Sequence, residues 1–235
     1  MRPAQVTCFH EADPALSLWR RAGVEALGTL LLVLVASGGG VAASRLFTAM
    51  PGLVLPIVAL VLAGALVSLI IALGAVSGGH FNPLITVLQW LARERGGICT
   101  VAYVAAQLGG GVLGGWLAAR VWRVTASDSG GLGWNGAVSE IVASAGLMLV
   151  VFGCARSGRA STGPFAVGAW LIADVIATPT TSYANPAVVL GALVTAGPLS
   201  LGHESAAPYL LGEGAGALIA LAAVTLLLPR TGTAA

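Results

Sequence analysis

Lysine is missing from this 235-residue chain, so every one of its basic side chains is an arginine. Charged residues of both signs together make up only 9%, where a soluble domain ordinarily holds about a quarter. The formal net charge of +2 is thinly spread and excludes a nucleic-acid surface. Cysteine is equally sparse. Cys8, Cys99 and Cys154 sit one per region, without CxxC spacing or a nearby second ligand. That pattern indicates neither a zinc site nor a disulfide framework, and buried inert thiols are expected. No metal or cofactor is implied. The first residues, Met1 to Leu18, contain His10, Glu11, Asp13 and Pro14 and lack the basic-then-apolar order of a cleavable leader. They read as a short cytosolic tail over residues 1–20.

What the chain has instead is apolar side chains, at 57% of residues with a mean hydropathy of +0.93. Lipid must be the solvent for most of it, and the bilayer is its first partner. Apolar runs cover Ala22–Ala43, Leu53–Val76, Gly97–Ala119, Gly136–Ala155, Pro164–Ala177 and Ala207–Leu228. A crossing needs about 20 residues, which most of these supply. The fifth run is short between its chosen ends. Two further stretches, Asn82–Ala92 and Asn185–Thr195, fall well below the length of a crossing and read as half-helices. Each opens with Asn-Pro, an N-cap followed by the residue that suits the first helical position.

A six-span arrangement places Arg2, Arg20, Arg21, Arg93, Arg95, Arg156, Arg159 and Arg230 on one side and Arg45, Arg120 and Arg123 on the other. The asymmetry predicts cytosolic termini and insertion in the plasma (inner) membrane. The chain also repeats its own order. Glu25, Asn82-Pro83 and Tyr103-x-x-x-Gln107 are followed by Glu140, Asn185-Pro186 and Tyr209-x-x-x-Glu213. With three spans in each half, the second half must be inverted relative to the first. The predicted fold is therefore an all-α integral membrane protein, six transmembrane helices plus two re-entrant half-helices. It forms a single channel domain over 21–229, with repeats of about 21–120 and 135–229 and a C-terminal tail over 230–235. Glycines four apart, such as Gly110/Gly114, Gly111/Gly115 and Gly212/Gly216, permit close helix approach.

The segment Ser77-Gly78-Gly79-His80-Phe81-Asn82-Pro83-Leu84-Ile85-Thr86, together with Asn185-Pro186-Ala187, resembles the two signature motifs of the major intrinsic protein family, the aquaporins and glycerol facilitators. The resemblance covers about Arg21 to Leu228. It implies a passive homotetrameric channel for water and small neutral solutes. Asn82 and Asn185 then point their amides into the lumen, and Glu25 and Glu140 brace the re-entrant loops. Gln107 and Glu213 are expected to make polar packing contacts, and His80 to hydrogen-bond within its loop.

Departures from the family pattern bear on what passes. The position three residues after the second Asn, usually Arg at the narrowest point, is Val188 here. Ser182 and Leu62 occupy two further filter positions, and the fourth is either Ala173 or Asp174. An Arg supplies positive charge and donors, so its loss widens the constriction and weakens a barrier to cations. The expectation is a roomy filter that admits glycerol, urea or metalloid acids such as arsenite. Leu84 replaces the first motif's Ala, a change expected to affect packing between the half-helices. An ion-coupled secondary transporter also uses inverted repeats, but the intramembrane acids match the family's bracing pair. An intramembrane enzyme lacks its residues, since His80 is the membrane region's histidine and belongs to the channel motif.

Overall fold

A computed structural model describes residues 16–125, 131–159 and 161–228. The stretch 1–15, with Cys8 and Arg2, and the tail from 229, with Arg230, lie outside the described residues. Eight α-helices follow in order: α1 Leu18–Leu46, α2 Val54–Ser77, α3 Pro83–Leu91, α4 Gly97–Trp122, α5 Ala137–Arg156, α6 Gly163–Ala177, α7 Pro186–Ala192 and α8 His203–Leu227. Helix α1 begins at Leu18, already inside the stretch assigned to the tail, because Ser17 caps it by accepting from Arg20 N. Among the described residues, five helices are long and apolar enough to cross a bilayer, and α6 is shorter at 15 residues. At 1.5 Å per residue α6 is about 22 Å long. The helix ends at Ala177, and its C-cap Thr178 is extended, as the residue before Pro179 is expected to be.

The two half-helices are α3, of nine residues, and α7, of seven. Both stop short of a crossing, as their apolar lengths require. Helix α2 ends at Gly78, whose φ of 95° is the left-handed conformation that turns the chain back into the membrane. The repeat is visible in the packing: α1 lies on α4 as α5 lies on α8, and α2 meets α6 across the centre. Each half-helix contacts the last helix of its own half and that of the other half.

Small residues set these crossings. A side chain at Gly110 or Gly114 of α4 would strike the α1 backbone carbonyls of Ala26 and Leu30. Gly212 and Gly216 of α8 face the α5 carbonyls of Ala137 and Ile141 in the same way. With lipid outside there is little hydrophobic drive between helices, so such close contact is what associates them. The outward faces are correspondingly apolar, with Leu60, Ile71, Val101, Leu113, Leu211 and Ile219 all exposed. The polar groups are inside: Glu25, Gln107, Glu140 and Glu213 are fully buried.

Candidate functional site

The two Asn-Pro starts meet at the centre of the molecule. Asn82 is extended (φ −148°), and its Oδ1 accepts from Leu84 N at 2.9 Å, capping α3. Asn185 does the same for α7, accepting from Ala187 N at 3.0 Å. Pro83 and Pro186 fill the first helical positions, where no N–H is needed. The amide nitrogens then cross over: Asn82 Nδ2 donates to Ala184 O at 2.8 Å, and Asn185 Nδ2 donates to Phe81 O at 2.9 Å. Each amide carries two hydrogens, and one of them stitches the loops together. Both asparagines line the same cavity. The helix N-termini also bring their positive dipole ends to this point, which disfavours cations.

Buried carboxylates hold the loops that carry these asparagines. Glu25 Oε1 accepts from Ser77 Oγ (2.6 Å) and His80 N (3.0 Å), and its Oε2 accepts from Phe81 N and Gln107 Nε2, both at 2.7 Å. In the second half, Glu140 accepts from Tyr183 N (3.3 Å) and Ala184 N (2.8 Å). Glu213 takes the next amide, Asn185 N, at 2.7 Å. Three consecutive loop N–H groups are thus satisfied by two carboxylates, as buried backbone donors must be. Gln107 and Glu213 therefore do more than pack helices together: Gln107 donates to the brace Glu25 and to Thr86 Oγ1 (3.0 Å), and Glu213 holds the second asparagine itself. The tyrosines of the repeat anchor the surroundings. Tyr103 donates its hydroxyl proton to Ser77 O at 2.8 Å, and Tyr209 Oη accepts from Leu132 N at 3.1 Å.

His80 pairs through Nδ1 with Thr86 Oγ1 at 2.9 Å and lies 3.4 Å through Nε2 from Arg95 Nη2. Arg95 is buried. It donates to Gln89 Oε1 (3.0 Å) and Cys99 Sγ (2.9 Å) and stacks on the Tyr103 ring at 4.4 Å. In the sequence Arg95 counted only as one loop charge among several. No spacing rule linked it to His80, because the turn after α3 makes the approach.

A cavity of about 360 Å³ runs past both asparagines. Leu62, Ser182 and Val188 line it, as does His80, and among the described residues no Arg, Asp or Glu lines it. The rest of the wall is mostly aliphatic, including Leu66, Ile70, Leu147, Val151, Leu171 and Val175. Ile85 borders the cavity while its neighbour Leu84 is buried in the core cluster. Ala187 is buried under α4, where Gly111 approaches its carbonyl. Of the two candidates on α6, Ala173 is exposed on the outer surface, because one residue turns a helix by about 100°. Asp174 is buried and accepts from Ser182 Oγ at 2.6 Å. Neither borders the cavity directly. The pairing of Asp174 with Ser182 was not legible in the sequence, since the seven intervening residues contain the loop that brings them together.

Two inverted repeats, a cavity crossing their junction and two capped half-helices meeting at its middle define a membrane channel. Comparison with known proteins gives the family. The family model described as Major intrinsic protein matches residues 14–222, and the chain belongs to that family: it is a multi-pass membrane channel for water and small solutes, not an enzyme. Among similar proteins, "Aquaglyceroporin AqpS" of Rhizobium meliloti is 34% identical over 217 residues, covering 90% of this chain and 91% of its own. "Aquaporin Z" of Photorhabdus laumondii is 33% identical over 195 residues, covering 72% and 80%. The X-ray structure of the aquaglyceroporin from Plasmodium falciparum shares the fold, with a TM-score of 0.72 at 16% identity over 90% of this chain and 97% of that one.

Proposed function

We propose that this channel has a wide, arginine-free constriction that passes small uncharged solutes larger than water, among them glycerol, urea or metalloid acids such as arsenite. The observation that carries the reading is the wall beside Asn185, where Val188 and Leu62 present aliphatic surface and Ser182 one small polar group. Side chains smaller than an arginine fill less of the pore at this level, so it leaves room for molecules wider than water. Two of the similar proteins are named as aquaglyceroporins, which supports the same solute class. Asn82 and Asn185 guide the solute at the midplane, while Glu25, His80, Gln107, Glu140 and Glu213 support the loops.

The working arrangement is one channel domain between short tails, assembled as a homotetramer in the plasma membrane with both ends in the cytosol. The arginine distribution supports that orientation, with exposed Arg159 after α5 on one side and exposed Arg45, Arg120 and Arg123 on the other. An ion-coupled transporter is the weaker reading, because Glu25 and Glu140 already use both oxygens on loop donors. The test is Val188→Arg, reconstituted beside the native protein at matched density. Glycerol and urea flux should fall more than water flux, and any proton leak should fall with them. A folded variant with an unchanged solute-to-water ratio would place the constriction elsewhere.

A further inference from the structure

We infer that Asp174 sets the polarity of the constriction through Ser182, so that the pore wall beside Val188 accepts hydrogen bonds and selects neutral solutes rich in O–H or N–H donors. The inference rests on the wide-pore reading and narrows it to a chemical class of solute.

Ser182 stands on a strained segment. Thr181, Ser182 and Ala184 have φ of 61°, 55° and 45°, left-handed values that side chains other than glycine rarely adopt. The conformation is held from both ends. Thr181 N donates to Thr178 O at 2.9 Å, and Glu140 accepts from Tyr183 N and Ala184 N. This fixes the direction of the Ser182 side chain, which borders the cavity.

A hydroxyl has one hydrogen to give and two lone pairs. Ser182 gives its hydrogen to Asp174 Oδ2 at 2.6 Å, the length of a charge-assisted O–H···O⁻ bond. With Asp174 ionised, the bond runs from Ser182 to the carboxylate, which has no proton to offer in return. Asp174 is 3% exposed and does not border the cavity. It therefore acts from behind Ser182 as a positioning residue. With its hydrogen turned away, Ser182 has only lone pairs for the lumen, and Val188 and Leu62 contribute neither donor nor acceptor. The midplane has the opposite character, since the amides of Asn82 and Asn185 donate there.

A solute thus meets an accepting wall and a donating midplane in sequence. Polyols, urea and trihydroxy acids carry donors and acceptors on neighbouring atoms and can replace lost hydration at both levels. A molecule of similar width with acceptors alone finds no partner at Ser182. An anion faces lone pairs with a carboxylate behind them.

The experiment compares S182A, S182T, D174N and D174E with the native protein in proteoliposomes. It reads glycerol-to-water and urea-to-water permeability ratios, and the temperature dependence of water flux. Losing one net hydrogen bond should lower both ratios about three- to tenfold in S182A, although that change removes an atom and widens the pore. D174N can offer an amide N–H to Ser182 Oγ in place of the acceptor, which turns the hydroxyl hydrogen toward the lumen, and should shift the ratios in the same direction. S182T, which keeps the hydroxyl, and D174E, which keeps the carboxylate, should each stay nearer to native than S182A and D174N. Ratios that rise or stay level in S182A would show that Ser182 acts by size alone and overturn the inference. A native-like D174N beside a lowered S182A would overturn the role of Asp174. If D174N does not fold, the S182A and S182T pair decides. If the native protein passes water but neither glycerol nor urea, the wide-pore reading fails separately. Ser182 is then judged by water flux, whose temperature dependence should steepen in S182A; an unchanged slope overturns the inference.

Discussion

Replacing Glu25 by Ala removes the acceptor for four donors at once: Ser77 Oγ, His80 N, Phe81 N and Gln107 Nε2. Two of them have somewhere else to go. The Ser77 hydroxyl can rotate, and Gln107 Nε2 already reaches Thr86 Oγ1 at 3.0 Å. The backbone amides of His80 and Phe81 cannot turn without unwinding the loop that ends in Asn82. Each buried orphan costs about 1–3 kcal/mol, so the pair destabilises by about 2–6 kcal/mol. By the scaling of globular domains of this size, Tm falls by about 4–24 °C. Glu140→Ala should cost less, about 1–3 kcal/mol, because only Ala184 N is tightly held, Tyr183 N is longer at 3.3 Å, and Glu213 keeps Asn185 N. Thermal unfolding of purified protein in detergent, followed by tryptophan fluorescence and by loss of the monodisperse peak, measures both. A Glu25→Ala protein with native Tm and altered solute ratios would refute the bracing role and place the carboxylate in the solute path.

Gly111→Ala puts a methyl against the backbone carbonyl of Ala187 in α7, whereas Gly109 has nothing within 4 Å of an added Cβ. Gly111→Ala should lower both Tm and water flux, while Gly109→Ala should match native or gain about 0.5–1 kcal/mol from helix propensity; equal behaviour of the two would contradict the crossing geometry. Asn185→Asp replaces the donor to Phe81 O with an oxygen and places a carboxylate at the midplane, so proton or cation leak, read with a pH-sensitive dye, should rise above native. For orientation, a single cysteine at exposed Thr48 should label from outside intact cells and one at exposed Arg159 should not, in a chain lacking its native cysteines. The reverse pattern would invert the topology.

The architecture was legible in the sequence wherever a physical rule acts over a few residues. Asn-Pro marked both half-helix starts because capping and the missing proline N–H are local. Glu25 and Glu140 stood out because an intramembrane carboxylate needs buried donors, and those donors are the loop amides. Contacts made by folding the chain back were not legible. Glu213 reads as a packing residue until the end of the second loop is seen to donate to it. Ala173 and Asp174 were indistinguishable by counting, because the length of the loop after α6 sets the register, and burial separates them only in three dimensions. Arg95 was one of several loop charges in the sequence, and in the fold it lies beside His80.

The most direct test of the pore's width is stopped-flow light scattering on proteoliposomes holding the native chain, challenged in turn with water, glycerol, urea and arsenite gradients. Reswelling with glycerol, urea or arsenite should run well above that of empty liposomes, without any imposed ion gradient and with a shallow temperature dependence. Rapid water flux with no reswelling by any of the three solutes would contradict the wide constriction. Solute uptake that requires a proton or sodium gradient would contradict the passive channel itself.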